Sequence, residues 1–144
     1  MLARRSHTRR ELTTKLSRKG FERTEIDAVL DAFAARGLVD DARTAGSIAR
    51  SLTSRGKGSG RIRAELAAKG VSRADADAAL GDLDPEDEKA SLKRLLDRKA
   101  SSLPAGLTRQ ARSKKLFDHL VRRGFAPGAV LEAIRQKGDP TDDD

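Results

Sequence analysis

The chain has 144 residues with no Trp, no Tyr and four Phe, and 36% charged against 37% hydrophobic residues. That excludes a core built on large aromatics and points to helices with thin Leu, Ile, Val and Ala stripes in an elongated, surface-rich arrangement. A formal charge of +8 points to a polyanionic or acidic partner surface. The absence of Cys excludes disulfides and thiolate metal sites, and His7 and His119 are too few for a zinc cluster.

In chain order, Thr8 with Glu11 forms a capping box that starts a helix carrying Leu12 and Leu16 and closing at Lys19-Gly20. After Phe21 a second helix carries Ile26 and Leu30, and Arg36-Gly37-Leu38 turns the chain. Asp40 caps a third helix from Asp41 to about Arg55. The turn Gly56-Lys57-Gly58-Ser59-Gly60 leads into a helix with Ile62 and Leu66 that closes at Lys69-Gly70. Val71 follows, and Ser72 with Asp75 then opens a helix bearing Ala76 and Leu80. Asp84-Pro85-Glu86 starts another, striped by Leu92, Leu95 and Leu96 and reaching about Lys99. Past a loop at 101–106, Thr108 caps a helix with Leu116 and Leu120 that closes at Arg123-Gly124. Phe125 precedes a last helix, with Pro127 in its first turn and Val130 and Ile134 on its stripe. Asp142, Asp143 and Asp144 read as a solvated tail. No period-two β pattern of useful length is present.

Gly20, Gly70 and Gly124 lie 50 and 54 residues apart, and the same five offsets around each are apolar in all three copies. Each glycine stands where a helix C-terminus needs positive φ, after a Lys or Arg that complements the negative helix end. The next residue, Phe21, Val71 or Phe125, is expected to pin the corner in the core. The expected fold is all-α, an elongated array of three tandem three-helix repeats of which the third is incomplete. The repeats run 1–55, 56–100 and 101–136, the last with two helices, followed by an acidic tail over 137–144. Each repeat is too thin to bury its own stripe and borrows a neighbour's surface.

The functional candidates are basic. Arg55, Lys57, Arg61, Arg63 and Lys69 surround the glycine-rich turn, whose Gly56, Gly58 and Gly60 permit close backbone approach to phosphates or acidic groups. A flexible connector followed by a solvated helix face is the alternative for the same residues. Arg9, Arg10, Lys15 and Arg18 give the first repeat a basic helix, and Lys114, Lys115, Arg122 and Arg123 give the third another. Lys19, Lys69 and Arg123 also fit ordinary helix C-capping. The turn misses P-loop spacing, and a dinucleotide fingerprint lacks its βαβ context. Asp82, Asp84, Glu86, Asp87 and Glu88 are accounted for by capping and dipole complementarity rather than a metal. No catalytic constellation is identifiable and the phenylalanines form no base-stacking platform, so the expectation is a binding protein, not an enzyme, with no cofactor and no metal. With no run of signal-peptide or membrane-span length, it is expected to be cytoplasmic and without membrane contact.

Three features together resemble the RecX family, regulators of the RecA recombinase. They are Glu11-Leu12-x3-Leu16-x3-Gly20-Phe21, the link Arg36-Gly37-Leu38-Val39-Asp40-Asp41, and the run from Arg55-Gly56-Lys57-Gly58-Ser59-Gly60-Arg61-Ile62-Arg63 through Leu66 to Gly70. The resemblance covers almost the whole chain, and the last run is its most specific part. The family usually has an aromatic where Thr44 stands, and a further helix upstream of Arg4-Arg5-Ser6. The resemblance implies a monomeric accessory of recombinational DNA repair and the SOS response that binds RecA filaments on single-stranded DNA. It further implies inhibition of RecA's ATP hydrolysis and strand exchange, while the basic faces by themselves are expected to bind DNA weakly and with steep salt dependence. The alternative is a non-specific DNA-binding protein acting without RecA.

Overall fold

The computed structural model describes residues 7–142, with side chains through residue 138. The Arg4-Arg5-Ser6 segment and Asp143 and Asp144 lie outside the described residues. Eight helices account for the fold: α1 Arg9–Arg18, α2 Arg23–Ala35, α3 Asp41–Ser54, α4 Ser59–Ala68, α5 Arg73–Gly81, α6 Pro85–Ser102, α7 Arg109–Arg122 and α8 Pro127–Asp142. There is no strand among the described residues. α8 runs on through the start of the stretch expected as a free tail. Lys137 helps hold it, its Nζ lying 2.9 Å from Asp97 Oδ1 on α6.

Local chemistry sets the helix ends. Thr8 Oγ1 accepts from the Glu11 N–H while the Glu11 carboxylate accepts from the Thr8 N–H, closing the capping box on α1. Ser72, Asp84 and Thr108 cap α5, α6 and α7 with their side-chain oxygens. Asp40 does the same for α3, accepting from the Arg43 N–H. At the start of α2 the Glu25 carboxylate accepts from the Glu22 N–H at 3.1 Å, a bond that the sequence pattern did not reveal because Glu is an uncommon N-cap residue.

At the three corners Gly20, Gly70 and Gly124 adopt φ of 95°, 85° and 101°. The following residue donates back into the helix, Phe21 N to Leu16 O, Val71 N to Leu66 O and Phe125 N to Leu120 O. This is the bond of a Schellman motif, and it satisfies a carbonyl that the helix itself leaves unpaired.

The helices pack as two compact units, Met1–Arg50 with Arg63–Leu83, and Ser51–Ile62 with Asp84–Asp144. The first has a core of Leu12, Ile26, Leu30 and Val39 with Leu16 and Phe33 against it. In the second, Leu92, Leu95, Leu96 and Ala100 of α6 meet Leu116 and Leu120 of α7, Phe125, and Val130 of α8. Burying each such leucine contributes roughly 1.5–3 kcal/mol. α6 therefore shares its core with the glycine corner that follows it.

One expectation about the corners fails. Phe125 is 2% exposed and Val71 7%, but Phe21 is 51% exposed. Phe125 lies in one core with α6, whereas Phe21 stands outside the core cluster of Leu12, Ile26, Leu30 and Val39. A Cβ placed on Gly20 likewise meets nothing within 4 Å.

Candidate functional site

Thr8 and Gly58 hold the same offset, twelve residues before Gly20 and Gly70, and each begins the first helix of its corner. The structure gives the two positions the same work. In the first unit Thr8 Oγ1 donates to Lys69 O at 2.6 Å, and the Arg10 side chain lies over Gly70, where an added Cβ would come within 2.6 Å of Arg10 Cβ. In the second unit Gly58 N donates to Arg123 O at 2.9 Å and Gly60 N to Gly124 O at 3.0 Å. Each unit is thus a helix N-terminus seated on the glycine corner of the next repeat.

That geometry corrects the reading of the glycine-rich turn. Its glycines do permit close backbone approach, but the backbone approached is the protein's own. A Cβ on Gly58 would sit 2.5 Å from Phe125 N, and one on Gly124 would sit 2.5 Å from Arg61 Cβ, separations that no side chain tolerates without backbone movement. Ser59 adds its N–H and hydroxyl to the Glu88 carboxylate at 2.9 and 2.7 Å. One carboxylate of the acidic run is therefore spent on the start of α4. Among the described residues no group of three or more His, Cys, Asp or Glu could hold a metal ion.

Several basic candidates are likewise engaged within the fold. Arg9 reaches Asp31 at 2.8 Å and Asp27 at 3.9 Å, and its backbone N–H donates to Asp41. Lys69 pairs with Glu11 at 3.5 Å, Arg63 pairs with Asp77, and Lys114 pairs with Asp118 at 2.9 Å. Lys15 Nζ lies 3.1 Å from His7 Nε2. Arg10 donates to Ala67 O at 3.5 Å, and Arg122 reaches Asp118 O at 3.4 Å. The Arg123 guanidinium donates to the carbonyls of Gly56 and Arg55 at 3.1 and 3.0 Å, capping the C-terminal end of α3. Arg18, Arg55, Arg61 and Lys115 are exposed and Lys57 is half-buried.

The second unit also contains a cleft that the sequence did not single out. About 770 Å³ in volume, it is lined by Ser54, Arg55 and Gly56, by Arg94, Leu95, Arg98, Lys99 and Ser102 of α6, and by His119 and Arg123 near the end of α7. Among the described residues no carboxylate lines it. Of these residues only Arg55 and Arg123 stood among the sequence candidates. Arg94 and Arg98, four apart, share one face of α6, a regularity visible in the sequence but overshadowed there by the leucine stripe. His119 has its pKa lowered, first by burial and then by the charges of Lys99, Arg123 and Arg122, so the imidazole is neutral at physiological pH.

Two family models match the chain: RecX, first three-helix domain, over residues 1–32, and RecX, second three-helix domain, over residues 40–80. The second groups α3 with the α4–α5 corner that follows it, the same phase in which α6 packs on α7 and α8. A regulatory protein RecX from Halorhodospira halophila is 39% identical over 92% of this chain and 81% of its own length. One from Chromohalobacter salexigens is 38% identical over 98% of this chain and 90% of its own. Among solved structures, a crystal structure of regulatory protein RecX superposes with a TM-score of 0.81 at 27% identity over 94% of this chain, which spans 66% of that one. RecX from Lactobacillus salivarius, at 20% identity and a TM-score of 0.84, shares the fold.

Proposed function

The chain belongs to the RecX family of regulatory proteins, and from that membership we propose that it binds the RecA recombinase assembled on single-stranded DNA and restrains it. The observation that carries this reading is 38% identity to a regulatory protein RecX across 98% of the chain. In this proposal it works in the cytoplasm as a monomer, in recombinational DNA repair and the SOS response. Binding energy alone does the work. A protein that prefers a filament state incompetent for growth or turnover shifts the population toward that state, slowing ATP hydrolysis and strand exchange.

The contact surface we assign to this activity is the set of cations that the fold does not hold in ion pairs, with Arg18, Arg55, Lys57, Lys115 and Arg122 on the exposed or half-exposed side. Arg9, Arg63, Lys69 and Lys114 belong to intramolecular pairs, and Arg123 to the cap of α3. These five support the surface rather than form it. Adding the protein to RecA on single-stranded DNA with ATP is expected to slow hydrolysis. An unchanged rate at saturating protein rules the reading out.

A second reading, DNA binding without RecA, is favoured by one observation: the carboxylate-free basic cleft of the second unit. Tight binding to bare DNA near physiological salt would support it. Weak binding that strengthens only when RecA coats the strand supports the first reading.

A further inference from the structure

We propose that the cleft on the second unit is a site for adjacent phosphate groups, with Arg94, Arg98 and Lys99 of α6 as its binding residues and Arg55 beside them. The proposal deepens the nucleic-acid side of the reading above and rests on that reading only for the identity of the polymer.

Several cations elsewhere in the fold are matched by a carboxylate, while others such as Arg18, Lys57 and Lys115 stand on separate elements. Arg9 has Asp27 and Asp31, Arg23 has Asp27, Arg63 has Asp77, Lys69 has Glu11, Lys114 has Asp118, Arg135 has Glu132 and Lys137 has Asp97. In the cleft four unmatched cations are gathered in one lining. Among the described residues neither Arg55, Arg94, Arg98 nor Lys99 has an ion-pair partner, and Asp97, the carboxylate just before Arg98 in the chain, pairs with Lys137. Like charges gathered with no internal counter-charge repel one another, and that cost is relieved when an external anion enters.

Three stretches of backbone bring the lining together. Arg94, Arg98 and Ser102 recur every four residues along one face of α6, about 5–6 Å apart at Cβ. His119 and Arg123 recur the same way on α7 and its C-cap. Ser54 and Arg55 stand at the end of α3, where the Arg123 guanidinium fixes the carbonyls of Arg55 and Gly56. Leu95 and Gly56 complete the lining, and an added Cβ on Gly56 would meet Leu95 Cδ1 at 2.9 Å, so the two elements meet closely there.

The donor inventory selects the ligand. The guanidinium groups of Arg55, Arg94 and Arg98 and the Lys99 ammonium offer far more hydrogens than the two oxygens of one carboxylate can accept. They suit a run of phosphates, each able to take a bidentate arginine. With no aromatic side chain in the lining, the site holds backbone and leaves the bases unread, so binding is tolerant of sequence.

His119 supplies an independent readout. It faces Arg94, Arg98 and Lys99 from α6, Arg122 and Arg123 from its own helix end and Arg55 from the end of α3, and its pKa is depressed by burial and by Lys99, Arg123 and Arg122. A bound phosphate run offsets that positive field and raises the His119 pKa, and by reciprocity the ligand binds more tightly as pH falls.

The test uses the full chain, a labelled oligothymidylate and inorganic tripolyphosphate as separate probes, with anisotropy for affinity and NMR titration of the His119 ring. Relative to the native chain, Arg94→Ala with Arg98→Ala is expected to weaken oligothymidylate binding by about tenfold or more and to lower the salt slope by about 1.4, the loss of two phosphate contacts on a single strand. Lys19→Ala with Arg36→Ala in the first unit removes the same charge from exposed positions outside the assigned surface and is expected to leave the slope nearly unchanged. An upward shift of the His119 pKa with both probes supports the site and shows that free polyphosphate also fits. A shift with the oligonucleotide alone supports the site as one for polymer backbone. Equal losses in the two double variants overturn the proposal, as does a His119 pKa that neither probe moves. Intact DNA binding with lost binding to RecA alone overturns it too, in favour of an acidic protein surface. The RecA assay with the native chain stands apart: slowed ATP hydrolysis with a failed phosphate test condemns the cleft and leaves the regulatory reading in place.

Discussion

Corners one and three read almost alike, Arg18-Lys19-Gly20-Phe21 against Arg122-Arg123-Gly124-Phe125, with both glycines at positive φ and both phenylalanines donating five residues back into a Schellman turn. Their surroundings differ completely. Gly124 has the backbone of Arg61 against it, and Phe125 lies in one core with α6. Gly20 has open space above it and Phe21 is half exposed. A local motif makes a bend in the chain. It becomes part of a core only where another segment is seated on it.

Truncating the two phenylalanines gives the largest contrast. Phe125→Ala is expected to cost about 3–5 kcal/mol, the usual range for a core aromatic, and Phe21→Ala within about 0.5 kcal/mol, as for a surface change. Urea unfolding of the two variants measures the difference, and equal losses would mean that Phe21 is covered in solution.

Replacing the glycines separates conformational strain from close packing. Gly20→Ala should cost about 1–2 kcal/mol for a left-handed alanine. Gly124→Ala carries the same strain and adds about 1–3 kcal/mol of overpacking against Arg61. Matching losses in thermal melts would show that the third corner is no tighter than the first.

Thr8→Ala is next in size, about 0.5–2 kcal/mol for the lost cap. Because Thr8 Oγ1 also donates to Lys69 O, its loss should exceed that of Thr108→Ala, whose side chain caps α7 by accepting from the Ala111 N–H. Side-by-side denaturation of the two variants decides whether the seat on Gly70 adds to capping.

The smallest effect is on pH dependence and is confined to the second unit. With its pKa lowered below 6.5 in the fold, His119 binds fewer protons folded than unfolded as pH drops below that value. Stability therefore rises with pH across the window between the lowered pKa and 6.5 and is flat above it. His119→Gln should remove that part of the slope when stability is followed from about pH 7 to pH 5.

Much of this was legible in the chain itself. Thr8-x-x-Glu11, Ser72, Asp84-Pro85 and Thr108 announced helix starts, and Gly20, Gly70 and Gly124 announced helix ends. These signals act within a turn or two, so a linear sequence contains them whole. The phosphate reading of Gly56, Gly58 and Gly60 named their permissiveness correctly and their neighbour wrongly, since Gly124 is more than sixty residues away. The basic candidates suffered the same limit. Arg9 and Asp31, Lys69 and Glu11, and Arg123 and Gly56 meet only through the fold, so charge composition could not tell which cations were already taken.

By itself, then, the sequence determined eight helices, three equivalent corners and an excess of positive charge, because periodicity, capping and glycine's tolerance of positive φ are local properties. Only the tertiary structure decided which corner is enclosed, and that Arg94, Arg98, Lys99 and His119 converge beside Arg55 with no carboxylate among the described lining residues. Docking and ion pairing join residues far apart in the chain, and their energies depend on distances that no linear pattern specifies.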